Sequence, residues 1–393
     1  MTDADTTDAA GPLAGTVVLD LTQALAGPHA TMILGDLGAK VIKIERSTGD
    51  DSRAWGPPWV GEGPERVSTY FLSANRNKQS VVLDLKSDHD LEVLWRLVDA
   101  ADVLVENFRP GVLDRMGLTA EALHARNPQL VVCSISGFGA DGPEGGRPGY
   151  DQIAQGESGL MSLTGPDPET PTKVGVPIGD LLAGLHAVYG ILAALLGRGS
   201  TGRGDVVRTS LLSSLVGVHA YQGTRHTMGG EVPTSSGNHH PSIAPYGAFA
   251  CADGMLQIAA ANDSLWRRTA AVAGVDADDE RFATNGSRVE NRGALIHILE
   301  DAFSGRTRDD LLADLDEAGV PSGAIRTLDE VYASEQLKSQ GMVITIEDSR
   351  LGPVTLAGPP VRFDSTQREN HTSPPALGAD RDAVLAWLDD LDA

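Results

Sequence analysis

The sequence predicts an α/β protein with a mainly parallel sheet, and three observations carry that reading. Short apolar runs rich in β-branched residues alternate with helix-length amphipathic segments through the first 135 residues. The first pair of runs, Thr16 to Thr22 and Lys40 to Glu45, flanks a helical pattern at Gly27 to Leu37, a βαβ opening of Rossmann type. At 393 residues, 41% hydrophobic and 22% charged, the chain is long enough for two globular domains and a sizeable core.

Taken in order, MTDADTTDAAG at the start is acidic and small and reads as a disordered tail over residues 1–12. The βαβ unit follows, its helix ended by Gly38. It lacks the dinucleotide fingerprint: after the first strand comes QALAGPHA, with Pro28 where a helix would start, and no GxGxxG. Glu45, ending the second strand, is the one residue placed to imitate a ribose ligand. Ser47 to Ser68 reads as a long Gly- and Pro-rich surface loop carrying Arg53 and Trp55. A strand at Ser80 to Leu83, a helix at Leu91 to Ala101, a strand at Val103 to Glu106, a helix from near Thr119 and a strand at Leu130 to Ile135 complete the alternation.

Beyond the turn-rich GSTGRGD lie the segment Val206 to Leu212, a helical stretch to about Met228 and a second long loop, Gly229 to Pro245. A hairpin over Ala248 to Ala260 turns at Asp253-Gly254, and helices follow at Ser264 to Ala273, Arg292 to Phe303 and Arg308 to Ala318. This middle portion reads as a smaller α+β domain. Strands at Met342 to Ile346 and Gly352 to Ala357 and a helix at Asp380 to Leu391 would return to the first. The expected division is a large domain over 13–205 and 340–393, connecting segments at 206–228 and 326–339, and a small domain over 229–325.

Charge and cysteine content narrow the function. A net charge of −23 argues against nucleic acid or an anionic membrane as partner, because both require a positive footprint. Cys133 and Cys251 give neither a disulfide framework nor a metal-site spacing, so a reducing cytoplasm is expected. The most apolar run, Leu181 to Leu196, is short for a bilayer span and carries His186, and no signal peptide precedes it.

That run is a buried helix by its spacing, Leu181, Leu182, Leu185, Val188, Tyr189, Leu192 and Leu195, and Asp180 stands at its mouth. Two roles fit a carboxylate there. It can cap the helix by accepting the free first-turn amides. It can also be a nucleophile that splits an acyl transfer into two covalent steps. Local pattern leaves both open.

VLDLTQALAGPHATMILGDLGAKVIKIER, NRNK, ADVLVENFRPGVLDRMGL, GYDQ and IGDLLAGLHAVYGILAALLGRGSTGRG, in that order, resemble the signature of the family III coenzyme A transferases of the CaiB/BaiF type. That family includes formyl-CoA:oxalate and crotonobetaine:carnitine CoA-transferases and the alpha-methylacyl-CoA racemases. The resemblance runs from about Leu13 into the C-terminal helix. It implies a large Rossmann-like domain built from both chain ends, a small domain from the middle, and an interlocked homodimer. It also implies that Asp180 is the catalytic nucleophile and that Tyr150 lies in the active site. Coenzyme A or acyl-CoA enters as substrate, with no tightly bound cofactor and no metal.

The same resemblance places CoA contacts at Arg46, Leu83 to Lys86, Asn107, Phe108, Arg115 and Met116. Arginine suits phosphate and adenine because its planar fork pairs with one and stacks on the other. Taken singly, each of these residues is as readily a solvated charge or a core side chain, and Tyr150 is as readily a core aromatic. The first-turn amides of the helix behind Asp180 would be donors to a thioester oxyanion.

The substrate side is expected at Leu25, where the oxalate enzymes carry a glutamine, at Ala26 and Trp55, and in the loop Gly237-Asn238-His239-His240-Pro241-Ser242. There HHPS replaces the glycines of an oxalate-type lid. The wording is closer to transferases for larger acids, including succinyl-CoA-dependent dicarboxylate enzymes, with His239 or His240 set to pair with a second carboxylate. Adjacent histidines point apart on an extended chain and no third ligand accompanies them, which speaks against zinc.

Tyr150 stands where the racemase branch has a histidine that exchanges the alpha proton. A phenol with pKa of about 10 replaces it poorly. The expected function is therefore a CoA-transferase. A racemase or epimerase of 2-methylacyl-CoA, a non-catalytic CoA-binding protein and a Rossmann oxidoreductase are the alternatives.

Overall fold

The computed structural model describes residues 11–63, 66–366, 368 and 370–393; most of the expected N-terminal tail lies outside them. The chain divides into two compact units, one running to Leu160 with Val174–Thr224 and Gln336–Ala393, the other Met161–Lys173 with Arg225–Glu335.

The first unit is built on a six-stranded parallel sheet in the order Lys78–Val82, Lys40–Glu45, Val17–Asp20, Val103–Glu106, Val131–Ser136, Val206–Ser210. Alternation along each strand sends side chains to opposite faces. Leu19, Ile42, Val81 and Leu104 meet the helices Asp88–Ala100 and Arg381–Asp392, while Val18, Val41, Val103 and Val131 meet Ala26–Asp36 and Ile178–Thr201. The first strand is central and the chain works outward on both sides of it. The switch in strand order thus falls between Val17–Asp20 and Val103–Glu106, which opens a crevice at their carboxyl ends.

Four buried charges fix that crevice. Against the cost of burial, Lys43 and Lys78 hold the Asp20 carboxyl far below the usual carboxylate range. Lys78 Nζ lies 2.9 Å from Asp20 and Lys43 Nζ 3.0 Å from Asp50. Lys43 also donates to Thr22 O at 2.8 Å, and Asp50 accepts from Ala24 N at 3.1 Å. The loop after the first strand is thereby tied to the loop after the second.

The C-terminal segment runs along the edge strand Lys78–Val82. Asp380 accepts from Ser80 N at 2.8 Å and its own amide donates to Ser80 O, while Gly378 N donates to Ser80 Oγ and Thr372 exchanges bonds with Asn77. An edge that would otherwise offer unpaired amides is covered. Val343–Asp348 and Gly352–Ala357 form a separate antiparallel ribbon, its turn held by Asp348, which accepts from the amides of Arg350 and Leu351.

Residues 206–228, expected as a connecting segment, begin instead with the outermost strand of the sheet. Ser210 then caps the helix Leu211–Gly217, and Ala220–Thr227 follows. Residues 326–339 hold the short helices Leu328–Ala333 and Glu335–Ser339. The apolar helix extends over 24 residues, Ile178–Thr201, well past the run of apolar side chains. By length and composition it could cross a bilayer, contrary to the expectation from its apolar run. Here Ala183, Gly184, Ala187, Val188 and Ile191 bury one face of it against the sheet and the helix Ala26–Asp36.

The second unit carries the three-stranded antiparallel sheet Ser322–Ala324, Gly254–Ala259, Tyr246–Cys251. The helices Asp263–Ala273, Arg292–Phe303 and Arg308–Glu317 cover it. Phe249, Leu256, Trp266, Phe282, Leu299, Phe303 and Leu311 form its core.

Candidate active site

The helix Ile178–Thr201 begins after Pro177, so Asp180 is its third residue and not its cap. Capping falls to another carboxylate. Asp151, first residue of the helix Asp151–Glu157, places Oδ1 2.7 Å from Gly179 N and 3.4 Å from Asp180 N. Its Oδ2 accepts from Gln155 Nε2 at 2.7 Å, and Gln155, wholly buried, accepts from Val174 N at 2.9 Å. The other first-turn amides are also engaged: Ile178 N donates to Val176 O and Leu181 N to Pro177 O. The expectation that these amides serve an oxyanion is corrected, because each already has an acceptor.

Among the described residues the Asp180 carboxylate has no hydrogen-bond donor. Burial, and after it the like charge of Asp151, pushes its pKa up to about 7. A carboxylate so placed is more basic than an ordinary one yet still ionises at neutral pH, as an attacking group requires. Tyr70 feels the same field. Burial, then Asp180, Asp151 and Asp50, raise its phenol to about 12, so it stays protonated and able to donate. Trp55 stands edge-on to Tyr70 with ring centroids 4.9 Å apart.

The loop that carries Trp55 is anchored from below. Arg53 lies 3.8 Å over the ring of Phe71 and gives Glu45 two bonds, 2.8 Å from Nε and 2.7 Å from Nη2. Glu45 also accepts from Ser80 Oγ and Asp50 N. With its oxygens so occupied, Glu45 is a structural anchor rather than a ribose ligand.

Leu25 and Ala26 are buried where the helix Ala26–Asp36 starts, and this helix packs against the one bearing Asp180. His29, on the same helix, is driven down to about 4 by burial and by Arg76 and Lys78, so it is neutral. Tyr150 is no core aromatic: it is 70% exposed, and its backbone, not its side chain, starts the helix that holds Asp151.

The expected CoA contacts gather at the carboxyl ends of neighbouring strands. Arg46 follows Lys40–Glu45, Leu83 follows Lys78–Val82, and Asn107 and Phe108 follow Val103–Glu106. Arg46 reaches Gly49 O and Asp51. Asn107 spans the crevice, accepting from Gln23 N at 2.9 Å and donating to Gln23 O at 2.8 Å. Phe108 and Met116 are half-buried against the core, Lys86 and Arg115 are exposed, and the Leu83 side chain belongs to the core, which leaves its backbone to the rim.

His239 and His240 lie in the second unit, where their loop is pinned to the hairpin. His239 is edge-on to Phe249, His240 stacks on Tyr246, and His240 N donates to Tyr246 O at 2.8 Å. Burial, and after it Arg292, lowers both imidazoles, and Arg292 Nη2 donates to Pro241 O at 2.7 Å.

Sequence reasoning passed over Asp151, Gln155 and Tyr70. The first lies in the GYDQ motif beside Tyr150, but no local pattern marks a helix start there. Tyr70 sits in VSTYF with no pattern to single it out.

Known proteins resemble this chain along most of its length. The family model described as CoA-transferase family III matches residues 13–381. The succinyl-CoA:glutarate CoA-transferase of Homo sapiens is 38% identical over 377 residues, 95% of this chain and 85% of that protein. The succinate–glutarate CoA-transferase of Agrobacterium fabrum is 37% identical, over 97% and 96% of the two chains. The crystal structure of a CaiB/BaiF family protein from Brucella suis superposes with a TM-score of 0.89 at 42% identity, covering 97% of this chain and 100% of that one. A match along nearly the whole chain, on a Rossmann-like parallel sheet, places this protein in CoA-transferase family III.

Proposed function

We propose that Asp180 is the nucleophile of this CoA-transferase, that succinyl-CoA is its donor and that its acceptor is a dicarboxylic acid. The observation that carries the first part is the carboxylate itself: half-buried, without a donor among the described residues, beside Tyr70 and with a pKa of about 7. Support for the substrates comes from the relatives' names and from the HHPS wording of the loop at His239.

In this reading the pantetheine arm of the donor passes the rim formed by Arg46, Leu83 to Lys86, Asn107, Phe108, Arg115 and Met116. An Asp180 oxygen attacks the thioester carbonyl, the C–S bond breaks, and a mixed anhydride and CoA thiolate result. The thiolate attacks Asp180 Cγ, breaking the anhydride C–O bond and releasing the donor acid, which leaves an aspartyl-CoA thioester. The acceptor carboxylate attacks Cγ and frees the thiolate, which then attacks the acceptor's acyl carbon. Acceptor-CoA departs and the Asp180 carboxylate is restored. Every step is an acyl transfer, with no change of oxidation state. Tyr70 and Tyr150 are the candidate donors to the oxyanion, now that the helix amides are occupied.

A cytoplasmic homodimer belongs to the same reading. Leu185, Tyr189 and Leu196 leave an apolar stripe exposed on the long helix, a surface that a second copy would cover.

Mass spectrometry of the intact protein mixed with succinyl-CoA and then hydroxylamine tests the nucleophile. An adduct mapping to Asp180, and absent from Asp180→Asn, is the expected result. An adduct on another residue, or turnover retained by Asp180→Asn, overturns the assignment. Acceptor preference is read by comparing glutarate with butyrate as substrates.

A further inference from the structure

The helix bearing Asp180 is capped from outside itself. An aspartate in its first turn would ordinarily be drawn to the free amides of that turn and stabilised there as a quiet carboxylate. In this protein Asp151, 29 residues earlier, takes the amides of Gly179 and Asp180, while Gln155 holds its other oxygen and ties it to Val174. Gly179 is what permits the approach: a Cβ there would stand 3.1 Å from Asp151 Oδ1 and 3.1 Å from Leu215 Cδ1.

We propose that Asp151 is a positioning residue for CoA transfer. By occupying the amides that would otherwise bind the Asp180 carboxylate, and by standing beside it as a like charge, it keeps that carboxylate unpaired and reactive. This rests on Asp180 being the nucleophile. The inference concerns the ground state of the attacking group: fewer hydrogen bonds must be broken before an oxygen lone pair reaches the thioester.

Groups facing Asp180 from the packed elements are few. Asp151 comes from Asp151–Glu157 and Tyr70 from Thr69–Leu72 with Asp50 acting on it, while neutral His29 of Ala26–Asp36 lies against Gly184, one turn further along. On the long helix itself His186 is bonded to Ser214 Oγ at 2.8 Å. The nearest like charge able to set the ionisation of Asp180 is therefore Asp151.

The test is the pH dependence of single-turnover acylation by succinyl-CoA in wild type, Asp151→Asn and Asp151→Ala, after circular dichroism and thermal unfolding establish that each is folded. Asn keeps an acceptor oxygen for the amides but removes the charge; Ala removes both. The expected result is a midpoint lower than the wild type's by about one pH unit in Asn and further in Ala. The plateau rate should fall about 10-fold and about 100-fold respectively, with the KM for succinyl-CoA unchanged in both. A folded Asp151→Asn whose midpoint and plateau match the wild type overturns the proposal, as does a midpoint that rises. Should Asp151→Ala not fold, Asp151→Asn decides alone. Loss of the Asp180 adduct in the wild type itself would instead overturn the nucleophile on which the proposal rests.

Discussion

Gly184 crosses Ala26 so closely that a Cβ on it would stand 2.7 Å from the Ala26 carbonyl oxygen. The helices Ile178–Thr201 and Ala26–Asp36 therefore touch backbone to backbone one turn beyond Asp180. Gly184→Ala forces the two apart, at a cost of about 1–3 kcal/mol. Chemical denaturation measures that loss, and the acylation rate at Asp180 should fall with it.

Asp180 makes the fold less stable above neutral pH than below it. Its pKa is raised from an ordinary 3.8 to about 7 in the folded protein, so the native state keeps a proton that the unfolded chain releases. The stabilisation is complete below the unfolded value and is lost as pH rises through about 7. Asp180→Asn should melt near the wild type at pH 4 and about 2–4 °C above it at pH 8. Differential scanning calorimetry across that range checks both ends.

In the proposed mechanism the same ionisation governs turnover. Donor kcat/KM should climb about tenfold per pH unit on the acid side and level off above a midpoint near 7. An initial-rate profile with succinyl-CoA gives the midpoint directly.

Removing the Arg53 guanidinium leaves Glu45 buried without its two-pronged partner, with Lys43 the cation still acting on it, and Phe71 without its cover. Arg53→Leu should cost about 3–5 kcal/mol by urea unfolding. Arg53→Lys keeps the charge but not the fork, and should recover only part of that.

Tyr70→Phe removes the protonated phenol that feels Asp180 while keeping its edge contact with Trp55. Single-turnover rates should drop about 10–100-fold with donor KM unchanged.

Most of the framework was legible because each core strand advertises itself. Lys40–Glu45 and Val103–Glu106 lie where their apolar runs begin and end, since strands buried on both faces need continuous apolar side chains. The helix Asp151–Glu157 was not: DQIAQGE is short and polar, with a glycine inside it, and it forms because Gln155 is clasped by Asp151 and Val174. Val206–Ser210 falls in the expected connecting segment, because its partner, Val131–Ser136, lies 74 residues back and nothing local reports that pairing.

The candidate site divides the same way. Arg46, Leu83 and Asn107 could be placed together from the order of motifs, and the parallel sheet brings them to one rim. What Asp180 does depends on who caps its helix. That is a contact between residues 29 apart, and no periodicity encodes it.

The stitching of Gly378 and Asp380 onto Ser80 imposes an order on synthesis. While the chain is still on the ribosome, the strand Lys78–Val82 has emerged but its outer edge is bare. It stays so until some 300 further residues have been added. The second unit, contiguous from Arg225 to Glu335 but for one short segment, can close earlier. Completion of the first unit thus waits until Gly378 and Asp380 have been translated, and a nascent chain stalled before Gly378 would present an open sheet edge to chaperones.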